Sequence, residues 1–170
     1  MKLEWRDILI GKTVINTSLT VAETAELQRL AAGKAVLEVG SAFGYSTVAL
    51  GLVAESVIAV DPHTGHNSLA ALIQNVEANG LTGKVRWIAG RSQDILPTLI
   101  AAFDMVWIDG DHSAETVEHD VTWALRLLRP GGVLACHDYD EATCPGVKIA
   151  LDKLFGGPGV LTDTLAVYQQ

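Results

Sequence analysis

One stretch constrains this chain more than any other: Val36–Leu50, which reads VLEVGSAFGYSTVAL. Val36, Leu37 and Val39 form a short apolar run, broken by Glu38 near its end, and Gly40 and Gly44 bracket the turn that follows. Ser46 and Thr47 then open a helical pattern that continues through VALGLVA. A strand that stops in a glycine-spaced turn and passes into a helix presents backbone N–H groups and a positive dipole end to a ligand. What that turn holds is decided by the rest of the sequence.

The flanking pattern alternates. A capping box at Thr20-Val21-Ala22-Glu23 opens a helix that Gly33 ends. Residues 1–19 are mixed, with an amphipathic patch around Trp5, Ile8 and Leu9, and residues 1–33 as a whole are expected to form an N-terminal helical segment on the substrate side. Strands are expected at Ser56–Val60, Lys84–Ala89, Phe103–Ile108 and Val133–Cys136, and helices at Ser68–Asn79, Asp94–Ala102, Ala114–Leu128 and Gly146–Phe155. Val160–Gln169 supplies one or two last strands. Continuous Val/Ile/Leu strands alternating with helices indicate a parallel sheet covered on both faces. The expected fold is one α/β domain over residues 1–170. It is doubly wound and mostly parallel, a Rossmann-like sheet of seven strands whose last is antiparallel, with residues 34–170 as the ligand-binding sheet.

Composition excludes several classes. The formal charge is −8 and the 12 Lys and Arg are scattered, so the positive face that nucleic acid requires is not expected. No apolar run approaches the roughly 18–20 residues that span a bilayer, and the charged start MKLEWRDILIGK does not read as a signal peptide. Cys136 and Cys144 are not spaced as a metal-binding pair, and an acidic chain of this kind reads as reduced and cytoplasmic.

In an open parallel sheet, ligands sit beyond the carboxyl ends of the strands. At those ends stand Glu38 and Gly40, then Asp61, then Gly90 to Gln93, then Asp109, then His137 and Asp138. A pyrophosphate fingerprint, G-x-G-x-x-G, fails here, because counting from Gly40 puts Tyr45 where the last glycine packs helix on strand. Asp61, 23 positions after Glu38, can accept both hydroxyls of a ribose. The pattern suits an adenosine without pyrophosphate, and so many carboxylates favour a cationic ligand.

At these residues the chain resembles the class I S-adenosylmethionine-dependent methyltransferases. VLEVGSAFGYST is similar to their first motif and VIAVDPH to their second. GRSQDILPTL, FDMVWIDGDHS, LRPGGVLACHDYD and CPGVKIAL together resemble the small bacterial metal-dependent O-methyltransferases of the catechol O-methyltransferase kind. The resemblance covers about residues 34–155. It implies that Glu38, Gly40 and Gly44 shape the turn under the methionine portion, and that Ser41, Ser46 and the helix start meet its carboxylate. It further implies Asp61 on the ribose, Ser92 and Gln93 on adenine, and Asp109 at the junction of cofactor and metal. Asp109, His137 and Asp138 fall at the metal-ligand positions, for Mg²⁺ or Mn²⁺. His137 stands where the family has an acid, and His112 where it has a catalytic lysine. An imidazole with an ordinary pKa of about 6.5 suits a base near neutrality.

The resemblance thus implies methyl transfer to a hydroxyl of a small molecule, with Asp109 and His112 as the catalytic residues. Two other readings stand beside it: a metal-independent methyltransferase, and a non-catalytic S-adenosylmethionine-binding module. In the first, Asp109 and Asp138 only structure the pocket, and the second would serve a partner protein. Asp111 and His112 could instead cap the helix near Ala114, His137 could merely hold Asp138, and Trp5 could cover the site or serve a homodimer.

Overall fold

The computed structural model describes residues 5–170. Strands β3 (Ala35–Val39), β4 (Ser56–Asp61), β5 (Val85–Ala89), β6 (Phe103–Ile108) and β7 (Leu128–Cys136) run parallel. β9 (Leu165–Gln169) pairs antiparallel with β7, and β8 (Val160–Thr162) pairs antiparallel with β9 at the edge. The order across this seven-stranded sheet is β5-β4-β3-β6-β7-β9-β8. The order reverses beside β3, the strand of Val36–Val39, so the crevice at that reversal opens above its carboxyl end.

Helices α1 (Val21–Ala31), α2 (Tyr45–Val53) and α3 (Ser68–Ala78) cover one face, and α5 (Ala114–Leu127) and α6 (Pro145–Phe155) cover the other. Side chains of a strand alternate between faces. Val36 accordingly joins Val48, Leu72 and Trp107 in one core, while Leu37 and Val39 join Val121, Leu134 and Leu151 in the other. The same alternation sends Glu38 to the α2 face, where it is buried.

The strand ends are level. Gly40 N–H donates to the carbonyl of Val60 (2.8 Å), Asp109 N–H to that of Val39 (2.8 Å), and His137 N–H to that of Ile108 (3.0 Å). Four chemically distinct ends are thereby brought to one rim.

The expected helical segment over residues 1–33 is corrected. Residues 1–4 lie outside the described residues, and only Val21–Ala31 is helical. Strands β1 (Arg6–Ile10) and β2 (Thr13–Thr17) form an antiparallel hairpin with Ile8 opposite Ile15. The physical reason is a period of two: Ile8, Ile10 and Ile15 pack on the first core while Leu9 and Val14 face out. A two-residue turn at Gly11-Lys12 closes it, with Gly11 at φ +57°. The capping box stands as expected: the Thr20 side chain accepts from Glu23 N–H and the Glu23 carboxylate accepts from Thr20 N–H.

Smaller shifts occur at two joints. The helix expected at Asp94–Ala102 begins earlier, as α4 (Ser92–Ile95), and tightens into a 3-10 turn at Leu96–Thr98 around Pro97. β7 starts at Leu128 rather than Val133, and the Pro-Gly-Gly run lies within the strand. Cys136 and Cys144 are free and buried. Among the described residues, no helix is long and apolar enough to cross a membrane.

Gly40 sits at φ +93°, and a Cβ built there would lie 2.1 Å from the carbonyl oxygen of Asp109. Gly40→Ala is therefore expected to cost about 1–3 kcal/mol from backbone conformation alone, plus the displacement of Asp109. Urea unfolding of the variant against the wild type measures it, and equal midpoints would contradict this account of the turn.

Candidate active site

A cleft of about 610 Å³ opens along the rim. Its walls include Gly40, Ser41, Ser46, Asp61, Ser92, Gln93, Asp109, His112 and Asp138. Of the residues expected from sequence, these nine come together in one space. Glu38, Gly44 and His137 stand behind the wall, where they hold it.

The turn forms one end. Ser41 and Ala42 donate their N–H groups to Asp61 Oδ2 (3.0 and 2.9 Å), and His63 N–H donates to Asp61 Oδ1 (2.6 Å). The carboxylate expected to meet a ribose thus also ties β4 to the glycine turn. Ser41 is buried, and its hydroxyl has no hydrogen-bond partner among the described residues. α2 starts at a left-handed Gly44 with no side-chain cap, so its first N–H groups are left for the cleft or its contents.

Ser46 has a second commitment. Its hydroxyl donates to Glu38 Oε1 at 2.5 Å, and Thr47 donates to Glu38 Oε2 at 2.6 Å. Burial pushes the Glu38 carboxyl from 4.5 up to about 8, and the charges of Asp109 and Asp61 push the same way against those two hydroxyl bonds. Glu38 is therefore a brace between strand and helix rather than a ligand-facing acid. At the far end, Gln93 Nε2 donates to Thr116 Oγ1 (3.1 Å), which places the Ser92-Gln93 corner against α5.

The other end of the cleft is a charge cluster. His137 Nδ1 lies 3.2 Å from Asp109 Oδ1 and 3.3 Å from Asp138 Oδ1, and its Nε2 lies 3.3 Å from Glu23 Oε2. Burial disfavours a charged imidazole here, but these three carboxylates outweigh it and hold the pKa of His137 well above its ordinary value. Asp138, at φ +61°, is buried. Burial raises its pKa, yet the imidazoles of His112 and His137 bring it well below the usual carboxylate range. Glu23 behaves likewise: burial opposes ionisation, the bond with His137 wins, and the pKa falls to about 2.

His112 Nε2 lies 3.0 Å from Asp138 Oδ2, a close ionic contact that is not aligned as a hydrogen bond. Contact with Asp138 raises its pKa. The helix cap is made by others: Ser113 caps α5, and Asp111 Oδ1 accepts from Ser113 N–H at 2.8 Å. His112 is thus not spent on the cap and lines the cleft beside Asp138. Trp5 is exposed and lines the cleft mouth with Asn16, Thr17, Ser18 and Leu19.

Asp109, His137 and Asp138 offer three donor atoms within 4.8 Å of one another. Around His137 the carboxylates outnumber it three to one, and His137 keeps one ring nitrogen on a carboxylate outside the trio. A ligating imidazole characteristically has that arrangement. The donor set fits a divalent cation.

Sequence reasoning missed Glu23 as part of this cluster. Its place in the capping box accounted for it fully, and its imidazole partner is 114 positions away. The cleft-lining hairpin end, Asn16 to Leu19, falls in the segment expected on the substrate side, but nothing in its residue types singles out these four residues.

Comparison with known proteins follows the same outline. A family model described as a methyltransferase domain matches residues 37–139. This chain belongs to that family. Its sequence is 34% identical over 115 residues to a catechol O-methyltransferase of Niastella koreensis, covering 64% of this chain and 50% of that protein. The chain spans about half the length of the curated relatives it matches. Among solved structures, cofactor-bound Rv0187 from MTB aligns with a TM-score of 0.75 at 25% identity, covering 88% of this chain and 79% of that one. The O-methyltransferase TomG of Streptomyces achromogenes, solved with SAM, aligns with a TM-score of 0.67 at 25% identity over 88% and 78%. The doubly wound, mostly parallel fold of the methyltransferase domain is thereby established for this chain.

A pH experiment isolates the brace. Between about pH 4.5 and 8 the unfolded chain loses the Glu38 proton while the folded chain keeps it, so this residue's contribution to stability falls across that window and levels off above it. The stability difference between wild type and Glu38→Gln should shift steadily against the wild type from pH 5 to 8. A pH-independent difference in urea unfolding would contradict the raised pKa.

Proposed function

We propose that this chain binds S-adenosylmethionine in the cleft and transfers its methyl group to a hydroxyl of a small molecule, assisted by a divalent cation. The observation that carries the reading is the joining of two unlike ends in one cleft. An uncapped helix start with an orphaned buried hydroxyl lies at one end, and a carboxylate pair with the half-buried imidazole of His112 beside it at the other. The relatives support it: the Niastella protein is named a catechol O-methyltransferase, and TomG was solved with SAM.

When bound, S-adenosylmethionine supplies a methyl group carried on a sulfonium. Ser41 Oγ and the first N–H groups of α2 receive its carboxylate, Asp61 its ribose, and Ser92 with Gln93 its adenine. Asp109, at the midpoint of the rim, attracts the sulfonium side. Asp109, His137 and Asp138 hold the cation, Mg²⁺ or Mn²⁺, which would lower the pKa of a substrate hydroxyl. His112 Nδ1, the ring nitrogen not held against Asp138, accepts the hydroxyl proton, and Asp138 beside Nε2 stabilises the imidazolium that results. Rate comes chiefly from alignment of the oxygen with the methyl group. The hairpin end and Trp5 form the acceptor side, which assigns residues 5–33 to substrate and the sheet to cofactor within one domain. Two free cysteines in an acidic chain suit the cytoplasm.

A metal-independent methyltransferase is the second reading, and one observation favours it. His137 already contacts both Asp109 and Asp138, so its imidazolium can neutralise them without a metal. Chelation separates the two. With a catechol as acceptor, EDTA should abolish turnover and Mg²⁺ restore it. Asp138→Ala should lower metal-dependent turnover by about 10²-fold or more while S-adenosylhomocysteine still raises the melting temperature. Undiminished turnover in EDTA would remove the cation from the account. A melting shift with NAD but none with S-adenosylhomocysteine would remove the methyl donor.

A further inference from the structure

Glu23 belongs to the first turn of α1, far from the strand ends in sequence, and it is 1% exposed. Both of its oxygens are saturated. Oε1 accepts from Thr164 N–H (2.9 Å) and from the Thr164 hydroxyl (2.7 Å). Oε2 accepts from Thr20 N–H (2.9 Å) and faces His137 Nε2 at 3.3 Å. Two backbone N–H groups, one on each oxygen, leave this carboxylate no rotation that turns it away from the imidazole. A carboxylate held in this way accepts and cannot donate.

The consequence falls on the ring of His137. Facing an acceptor, Nε2 must carry its proton. Nδ1, beside Asp109 and Asp138, is then the nitrogen that gives up its proton and presents a lone pair when a cation takes the proton's place among those carboxylates. We propose that Glu23 is a positioning residue for the cation site, fixing the ring and the tautomer of His137 so that Nδ1 faces the ion together with Asp109 and Asp138. The role rests on the cation reading given above. It ties the site to two elements outside the parallel sheet, the α1 start through Thr20 and the β8–β9 turn through Thr164.

Glu23→Gln tests it with little change of shape. An amide presents one accepting and one donating end. With its oxygen kept on the two Thr164 donors, its NH₂ group takes the place of Oε2, gives up the bond from Thr20 N–H, and drives the His137 ring proton to Nδ1, closing that nitrogen to a metal. The expected result is a fall of about 10–100-fold in Mn²⁺ affinity, read from the free-ion signal in electron paramagnetic resonance without any substrate. In the Mg²⁺-saturated proteins, ¹⁵N–¹H correlation spectra of the imidazoles should place the proton on Nε2 in the wild type and on Nδ1 in the variant. Thr164→Val is the control for a merely structural role. It removes a bond from the same carboxylate but leaves the His137 side intact, and should bind Mn²⁺ within about twofold of wild type.

Wild-type affinity in Glu23→Gln, or an equal loss in Thr164→Val, would overturn the proposal. Should Glu23→Gln not fold, the Mg²⁺-saturated wild type carries the test: the ring proton is expected on Nε2, and a proton on Nδ1 overturns the role. A wild-type protein that binds no Mn²⁺ overturns the cation reading itself. That outcome is distinct from a wild type that binds the ion while Glu23→Gln binds it equally well.

Discussion

Three carboxylates converge on one buried imidazole, and much of the structure follows from that meeting. Glu23 arrives on the first turn of a helix, Asp109 at the end of β6, and Asp138 one residue beyond His137 itself. Burying so much negative charge is costly unless it is paired and hydrogen-bonded. His137 and His112 supply the pairing, and a divalent ion would complete it. The cluster also fixes where α1 and the β8–β9 turn stand, since the Glu23 carboxylate spans both.

The cleft divides its labour along the rim. Near β3 the groups are mostly neutral or already committed: Glu38 is locked to Ser46 and Thr47, and Asp61 holds three backbone N–H groups. That end is a preorganised cradle. Near β6 and β7 the groups are charged and mutually compensating, so their state responds to whatever enters. The committed end and the charged end are thereby separated by a thin stretch of backbone at Gly40.

Much of this was legible in the sequence. Apolar runs alternating with helical patterns gave the parallel sheet, and the residues after each run gave the rim, because a parallel sheet brings strand ends to one edge whatever the loops do. The side each residue faces was harder to read. Glu38 and Ser46 belong to the expected motif, yet the two-residue period of β3 turns Glu38 inward and draws Ser46 after it. Asp111 and His112 both stood as candidates for the helix cap, and only the geometry shows that Ser113 makes it, with Asp111 accepting from the Ser113 N–H. The hairpin at Arg6–Thr17 was too short and too polar for its alternation to stand out. Glu23 was recognised as a cap, but a side chain that serves two purposes shows only the local one in sequence.

The claim on which the functional account turns is that Asp109, His137 and Asp138 bind one ion beside the methyl-donor turn. Crystals grown with Mn²⁺ and S-adenosylhomocysteine, measured for anomalous scattering at the manganese edge, test it directly. The account predicts a single peak coordinated by Asp109, His137 Nδ1 and Asp138, with the nucleoside lying against Ser41 and Asp61. A fully bound S-adenosylhomocysteine with no manganese peak at those three side chains would contradict it.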